Sequence, residues 1–381
     1  MSEIIPFHVA AIGEMEVERA TSSLKSGWLT TGPECIAFEE QFAAAVGAAY
    51  AVSMNSCTAA LHLALEALGV GPGDEVIVPT MTFTASAAVV RHLGAEPVLV
   101  DVCEETLHLD FDSVERAINQ RTRVVMPVHY GGQPVDVDQL DDILFGRDVA
   151  IVEDAAHCFP SDLRGRPIGS ISRATCFSFY ANKTITTGEG GMLTTNDEAI
   201  AERARVMRLH GMSKDAWRRF EGGPSNYDVS QPGFKYNMTD VAAAVGIVQL
   251  QRAEELREQR EAVALYYSER LGNIGGIKPL QMLSERTHAW HLFVISVDPD
   301  VAGKDRDGII NHLRQRGIGA SIHYQPLHRH TYYQNRYGFR DTDFPTASSA
   351  GDRIISLPLF PSMTLSQVDR VVRALEIATT Q

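Results

Sequence analysis

The chain has 381 residues, enough for two domains at roughly 150 residues each. Hydrophobic residues make up 44% of it and charged residues 22%, a balance typical of a globular protein with a buried core. Its 34 basic and 48 acidic residues give a net charge of −14. Because a negatively charged protein repels phosphate backbones and anionic lipids, this charge argues against nucleic acid and membrane surfaces as partners.

The amino terminus and the cysteines indicate the compartment. Residues 1–6 lack the basic start and the apolar run of a signal peptide, and no stretch offers about 18 consecutive apolar residues. The five cysteines are odd in number and scattered, without a CxxC pair. We therefore expect a reduced, cytoplasmic chain without a membrane span.

The first two thirds of the chain alternate short apolar runs with helical patterns. Strands are predicted at residues 75–79, 97–102, 123–128, 149–153 and 174–179, with a helix at 84–93 and helical patterns between several of the others. Strand–helix–strand alternation with β-branched runs predicts an α/β domain whose mostly parallel sheet is covered on both faces. Ligands bind at the carboxyl ends of the strands in such sheets.

The pattern changes near residue 250. A long helical pattern covers residues 238–271 and leads into a glycine-rich joint at 272–276. Strands are then predicted at 289–297 and 320–323, and helices near 305–316 and 366–377. We expect a large domain over residues 1–250 and a smaller α+β domain over residues 251–381.

Small hydroxyl residues precede a predicted helix at residues 61–68. Ser56, Cys57 and Thr58 run directly into this helix, and free backbone N–H groups at a helix start can hold a phosphate. Plain N-capping by Ser56 or Thr58 would use the same residues, so both interpretations stay open.

Two acidic residues end one of the predicted strands. Glu153 and Asp154 come at the carboxyl edge, where a parallel sheet builds its site. Because side chains alternate along a strand, at most one of the two can face a given cavity. A helix cap or a strand-end ion pair is the alternative for either residue.

A single lysine follows the predicted strand at 174–179. Lys183 is the only Lys or Arg between Arg173 and Arg203, and a glycine-rich turn follows at residues 188–191. A lysine nucleophile needs a lowered pKa, which burial supplies. The alternative is a solvated loop lysine beside a flexible turn.

Together these three features match the needs of pyridoxal phosphate, namely a lysine for the Schiff base, a carboxylate that keeps the pyridine nitrogen protonated, and an anion cradle. The sequence contains no GxxxxGK[ST], GxSxG or HExxH motif, and its thirteen histidines form no spaced metal cluster. We therefore expect this cofactor and no metal.

Over nearly its whole length the chain resembles the DegT/DnrJ/EryC1/StrS group of sugar aminotransferases. The matching motifs are residues 27–33 (GWLTTGP), 71–76 (GPGDEV), 153–157 (EDAAH), 177–183 (FSFYANK), 188–192 (GEGGM) and 232–237 (PGFKYN). The resemblance implies the aspartate aminotransferase type I fold, the pyridoxal phosphate cofactor and a homodimer with shared active sites.

The resemblance also implies roles for individual residues. Lys183 would form the Schiff base and then move the proton between cofactor and substrate, and Asp154 would pair with the pyridine nitrogen. His157 would lie close to the ring oxygen of the cofactor, and Phe83 would stack on the ring face. The phosphate would be held by Cys57, Thr58 and Ser178, and by Asn237 from the partner subunit. The sugar pocket would include Thr31, Tyr180 and His323.

Two positions refine this expectation. Many relatives have a Gly-Thr pair where this chain has Cys57 and Thr58, and the extra side chain slightly narrows the phosphate cradle. A dehydratase branch of the family replaces the lysine with histidine, whereas this chain keeps Lys183. Transamination is therefore favoured over deoxygenation.

The expected reaction moves an amino group from an amino acid, with L-glutamate as the family's usual donor, to a ketone on a nucleotide-linked deoxy sugar. Residues 179–188 and 210–217 look like the branch that acts on 4-keto sugars, whose members make 4-amino-4-deoxyarabinose, perosamine or 4-amino-4,6-dideoxyhexoses. An aminotransferase for a 3-keto sugar or an inositol ketone, and a non-catalytic sensor that keeps the fold, are the alternatives.

Overall fold

The computed structural model describes residues 4–212, 228–272 and 274–380. The strands in this part of the chain are β1 (Tyr50–Met54), β2 (Glu75–Pro79), β3 (Glu96–Val100), β4 (Thr122–Val125), β5 (Ala150–Asp154), β6 (Asp162–Leu163), β7 (Arg166–Pro167), β8 (Ala174–Ser178), β9 (Gly191–Thr195), β10 (Ile277–Pro279), β11 (Arg286–Thr287), β12 (Phe293–Val297) and β13 (Ile354–Leu357). Residues 213–217, which supported the prediction of a 4-keto substrate, lie outside the described residues.

The helices surround two main sheets. The α-helices of the described residues are α1 (Glu14–Ser26), α2 (Pro33–Val46), α3 (Cys57–Ala67), α4 (Ala85–His92), α5 (Phe111–Ala117), α6 (Val137–Leu144), α7 (Glu198–Met207), α8 (Asp240–Gln251), α9 (Ala253–Leu271), α10 (Pro299–Ala302), α11 (Arg306–Gln315), α12 (Thr331–Tyr337), α13 (Pro345–Arg353) and α14 (Leu365–Thr380). None of them has the length and unbroken apolar character that a membrane crossing requires.

The large sheet has the strand order β1-β9-β8-β5-β4-β2-β3 among the described residues. Its pairs β3–β2, β2–β4, β4–β5 and β5–β8 are parallel, and β9 alone runs against its neighbours β8 and β1. Strands such as β2 are buried along their full length because helices cover both faces. The predicted α/β fold with a mostly parallel sheet is therefore confirmed.

The second sheet is antiparallel, with the order β10-β12-β13. Helices α9, α11 and α14 pack around it, and their apolar side chains form a separate core that includes Tyr267, Ile309 and Val371. Ile5 joins this core and pairs with Ile318, so the first described residues pack beside the carboxyl-terminal third of the chain. The division into domains at residue 250 stays a prediction.

The structure corrects three predicted elements. The helical pattern of residues 238–271 forms two helices, because the backbone leaves helical geometry at Arg252, with φ −101° and ψ 3°. The predicted strand at 320–323 is a single bridge between Ser321 and Ser356. The strand predicted at 289–297 is confined to β12, because Trp290 takes the left-handed conformation with φ 51°.

Candidate active site

One cavity of about 440 Å³ opens at the carboxyl ends of β5 and β8. It is lined by all the predicted site residues except Thr31 and Asn237, namely Cys57, Thr58, Phe83, Asp154, His157, Ser178, Tyr180, Lys183 and His323. Ser56, Asn182, Glu189 and Tyr324 line it as well. The carboxyl edge of a parallel sheet thus collects residues that are distant in sequence, as the strand pattern predicted.

Lys183 is held by the loop that follows β8. Its backbone N–H donates to the carbonyl of Tyr180 at 2.9 Å, and Thr184 Oγ1 donates to the carbonyl of Ala289 at 3.3 Å. Burial lowers the pKa of Lys183 to about 8, and the nearby charges of Cys57 and Asp154 act in the opposite direction. A buried amine with a lowered pKa is suited to act as a nucleophile, unlike a solvated loop lysine.

Asp154 presents its carboxylate to the same cavity. Ser86 Oγ donates a hydrogen bond to Oδ2 at 2.8 Å, and the N–H of Ala156 donates to Oδ1 at 3.1 Å. Burial raises the pKa of Asp154 despite these two bonds and the charge of Lys183. A cationic or N–H-bearing group placed in the cavity would therefore stabilise the charged carboxylate.

Glu153 lies on the opposite face of β5 from Asp154. Its Oε2 is 2.8 Å from Nε2 of the fully buried His129, and its Oε1 accepts a hydrogen bond from Thr175 at 2.9 Å. Burial would raise the pKa of Glu153, but the hydrogen bonds and charge of its partners lower it. This pair is structural, and the expectation that only one of the two acids faces the cavity is confirmed.

The start of α3 forms an anion-binding corner of the cavity. Ser56 Oγ accepts a hydrogen bond from the N–H of Ala59 at 3.1 Å and so caps the helix. The N–H groups of Cys57 and Thr58, in the first turn, have no intrahelical acceptor. Capping by Ser56 is therefore compatible with a phosphate site on the next two residues.

Gly191 allows β9 to pass close to this helix start. A Cβ at position 191 would lie 2.3 Å from the carbonyl carbon of Ser56 and 2.5 Å from the nitrogen of Cys57. No side chain fits in that space, which gives the glycine-rich turn at 188–191 a physical reason. The corner is thus preserved for backbone donors.

His157 has a defined tautomer. Its Nδ1 accepts a hydrogen bond from the N–H of Gly131 at 3.3 Å, so Nε2 carries the proton and donates to Tyr324 Oη at 2.9 Å. Burial lowers the pKa of His157 well below its ordinary value, so the ring is neutral. Phe83 lies nearby, half exposed, with its ring 5.8 Å from that of Tyr324.

Asn237 and Thr31 lie together outside this cavity. Asn237 Nδ2 donates to Thr31 Oγ1 at 2.9 Å, and Lys235 Nζ donates to Asn237 Oδ1 at 2.6 Å. Neither residue lines the cavity of its own chain. The expectation that Asn237 reaches the site of a partner subunit stays a prediction, as does the role of Thr31 in the sugar pocket.

Ser86 and His291 were not identified from the sequence, and Tyr324 was considered only as a neighbour of the predicted His323. Ser86 contacts Asp154, Tyr324 contacts His157, and His291 Nε2 lies 3.3 Å from Lys183 Nζ. None is part of a motif, and His291 is 108 positions away from the lysine it contacts. The only signal in the sequence for any of these three residues was the proximity of Tyr324 to the predicted His323.

The residues of the cavity fit pyridoxal phosphate. A buried lysine of lowered pKa and a buried carboxylate that forms no ion pair within hydrogen-bond distance among the described residues face one space, and the start of α3 offers N–H donors that no Cβ obstructs. Among the described residues, no group of three or more His, Cys, Asp or Glu side chains is placed to hold a metal ion.

Comparisons with known proteins agree with this site. Residues 10–376 match the model of the DegT/DnrJ/EryC1/StrS aminotransferase family. The chain is 45% identical to the spore coat polysaccharide biosynthesis protein SpsC of Bacillus subtilis over 375 residues, 98% of this chain and 96% of that protein. It is 40% identical to the UDP-4-amino-4-deoxy-L-arabinose–oxoglutarate aminotransferase of Shewanella sediminis, with 98% of both chains covered.

The fold is also shared with solved structures. One is a Streptococcus pneumoniae protein named as a sugar aminotransferase and solved in its PMP form. It superimposes with a TM-score of 0.92 at 35% identity and covers 99% of both chains.

Proposed function

The chain belongs to the DegT/DnrJ/EryC1/StrS aminotransferase family, and from this membership we propose that it transfers an amino group from L-glutamate to the 4-keto carbon of a nucleotide-linked deoxy sugar. The family membership makes it a sugar aminotransferase that depends on pyridoxal phosphate. What we propose beyond this membership is the position on the sugar, the amino donor and the nucleotide.

The observation that supports the transamination chemistry is the cavity that Lys183 and Asp154 share. Pyridoxal phosphate, when bound, supplies an electron sink for the substrate carbon that loses its proton. Asp154 would keep the ring nitrogen protonated, and the N–H groups of Cys57 and Thr58, with Ser178, would hold the phosphate. His157 would contact the ring oxygen, and Phe83 would cover the ring face.

Lys183 would perform the proton transfer. Its amine would hold the cofactor and, once free, would move the proton between the substrate carbon and the cofactor. The lowered pKa of Lys183 supports this role, because the free amine is then present near neutral pH. A sensor would not need this combination, and the compared relatives named above include an aminotransferase.

The proposed substrate and donor rest on the printed name of a relative. The Shewanella sediminis protein is named for a UDP-linked 4-amino sugar and for oxoglutarate, the keto acid that glutamate leaves behind. The relative from Bacillus subtilis is named for spore coat polysaccharide biosynthesis. We propose by analogy that the product of this chain is an amino sugar for a polysaccharide.

We propose a homodimer with shared sites. Exposed apolar side chains concentrate on and around α1 and α2, including Met15, Leu24, Leu29 and Ile36, which are 39–55% exposed. A surface of this kind marks a protein interface, and Thr31, the partner of Asn237, lies between these two helices in the chain. The same surface would bring Asn237 to the other subunit.

We propose a cytoplasmic location on the basis of the cysteines. All five are free thiols in the structure, as is usual in a reducing compartment. Fractionation of the native host cells, with detection of the protein in the soluble cytoplasmic fraction, tests this proposal.

The substrate proposal is tested with purified protein, L-glutamate and a panel of keto sugars. We expect 4-keto nucleotide sugars to yield an amino sugar, identified by mass spectrometry. Oxoglutarate should form in an equal amount. Turnover confined to 3-keto nucleotide sugars or to an inositol ketone would overturn the assignment of position and leave the enzyme class intact.

A further inference from the structure

His291 lies directly behind Lys183. Its Nε2 is 3.3 Å from Lys183 Nζ, and no other side chain of the described residues forms a hydrogen bond with this nitrogen. His291 is 5% exposed and does not line the cavity; it contacts the site through Lys183 and through the ring of His157, whose centroid is 4.4 Å from its own. A buried ring in contact with the reacting nitrogen is placed to influence its proton.

The backbone around His291 is fixed on both sides. The N–H of Ala289 donates to the carbonyl of Gly132 at 2.8 Å, and the N–H of Leu292 donates to the carbonyl of Gly131 at 3.0 Å. Arg260, itself buried, donates to the carbonyl of Trp290 at 3.3 Å. These bonds fix the backbone position from which the buried His291 ring reaches Lys183.

The tautomer of His291 is not fixed, in contrast to that of His157. Nδ1 of His291 is buried and has no hydrogen-bond partner among the described residues, so either tautomer leaves this nitrogen equally unsatisfied. The charge of Lys183 then decides the tautomer, because an ammonium needs an acceptor at Nε2 whereas a free amine can accept from an Nε2–H group.

The surroundings keep His291 neutral. The titratable and charged groups that face the pair are His157, His323 and Arg260 on the side of the histidine, and Cys57 and Asp154 on the side of the lysine. Burial, and then the charge of Lys183, lower the pKa of His291 well below its ordinary value. A neutral imidazole can accept a hydrogen bond from a buried ammonium without adding a second positive charge.

We propose that His291 is a further catalytic side chain, which accepts a hydrogen bond from the Lys183 ammonium when that amine takes the substrate proton. The new N–H bond forms at Nζ as the substrate C–H bond breaks, and the electron pair of that bond stays with the substrate. His291 remains neutral throughout and compensates the ammonium for its lost hydration. This inference rests on the proposed role of Lys183.

Two substitutions and a control test the proposal. His291→Leu removes the acceptor, and His291→Gln keeps an amide oxygen at a similar reach. His108→Leu is the matched control, because His108 is equally buried at 5% exposure, its Nε2 has no hydrogen-bond partner among the described residues, and Lys183 is not among the groups that shift its pKa. The rate at which the cofactor-free protein captures pyridoxal phosphate is then measured against pH by visible absorbance.

Only the free amine captures the aldehyde, so the wild-type rate rises with pH through an inflection near the pKa of Lys183, about 8. In His291→Leu the ammonium loses its acceptor, and we expect the inflection about one pH unit lower. We also expect kcat about tenfold lower with an unchanged KM for the donor. His291→Gln and His108→Leu should keep the wild-type inflection.

A wild-type inflection in His291→Leu would overturn the inference, as would a shift in His291→Gln as large as that in the leucine variant. If leucine prevents folding, His291→Phe keeps a flat ring without a hydrogen-bond acceptor, and we expect the same lowered inflection; a wild-type inflection in this variant would equally overturn the inference. If Lys183→Ala captured the cofactor as fast as the wild type, the proposed role of Lys183 itself would fail, which is a separate result.

Discussion

Ser86 Oγ donates a hydrogen bond of 2.8 Å to Asp154 Oδ2 inside the cavity, so a helix start on one side of the sheet fixes the carboxylate that ends β5. Asp154 thereby presents a defined oxygen to the space that it shares with Lys183. Asp154 and Ser86 can be tested separately, because Asp154 carries the charge and Ser86 only orients it.

Asp154→Asn should lower kcat by about a hundredfold or more, because the amide cannot stabilise a protonated ring nitrogen. Ser86→Ala should lower it by only about tenfold, since the charge remains and one hydrogen bond to it is lost. Steady-state kinetics with saturating donor measures both values. Equal losses in the two variants would contradict the division of roles.

Lys183→Ala should lose the covalent link to the cofactor. The wild type, reconstituted with pyridoxal phosphate, should be yellow, and L-glutamate should shift its visible absorbance to that of the aminated cofactor. The alanine variant should show no such shift and, after borohydride reduction, no added cofactor mass. A colourless wild-type protein after reconstitution would argue against the whole assignment.

The buried Lys183 should also make stability depend on pH in the cofactor-free protein. Folding lowers its pKa from 10.5 to about 8, a difference that corresponds to about 3 kcal/mol of destabilisation below pH 8. Because the unfolded chain binds the extra proton between these two values, this destabilisation should disappear as the pH rises from 8 to 10.5.

Lys183→Met isolates this effect. Urea unfolding should show the methionine variant to be more stable than the wild type at pH 7, with a difference that shrinks above pH 8. If the difference in stability between the two proteins stayed constant across this pH range, folding would not lower the pKa of Lys183.

Gly191→Ala should damage the phosphate corner. Its Cβ would lie 2.3 Å from the carbonyl carbon of Ser56, so the start of α3 must move. We expect a loss of about 1–3 kcal/mol in the free energy of unfolding and weaker binding of pyridoxal phosphate. Gly71→Ala is the control, because nothing lies within 4 Å of a Cβ at that position.

The predicted exchange of Asn237 between subunits can be tested by mixing two inactive variants. Lys183→Ala and Asn237→Ala chains, unfolded together and refolded, should form mixed dimers in which one of the two sites keeps both residues. With random pairing, about a quarter of the wild-type activity should return. No recovery, with dimers confirmed by light scattering, would place Asn237 in the site of its own chain.

The parts of the site that the sequence predicted share one property, which is a local pattern. Lys183 and Asp154 follow apolar strands, and Cys57 begins a helix, so the sheet topology alone brings them to one edge. The strand β1, by contrast, was not recognised, because only two residues separate it from α3. The strand β9 was not recognised either, because it follows directly on a glycine-rich turn.

The residues that were missed reach the site from far along the chain. His291 and Tyr324 lie in segments between the strands of the second sheet, and their sequence context is that of ordinary core residues. Their positions depend on how the carboxyl-terminal third packs against the large sheet, which no local pattern contains. Even the resemblance to a family identified motifs rather than these contacts.

The glycine turn at Gly131 and Gly132 has a consequence for engineering. The N–H of Gly131 donates a hydrogen bond to the His157 ring, and the carbonyls of this turn accept hydrogen bonds from the backbone on both sides of His291. A Cβ at Gly132 would lie 2.9 Å from the His157 carbonyl oxygen. The two imidazoles therefore cannot be re-aimed independently. Libraries meant to broaden the accepted sugars should spare this loop and instead diversify Tyr180, which lines the cavity and is about half exposed.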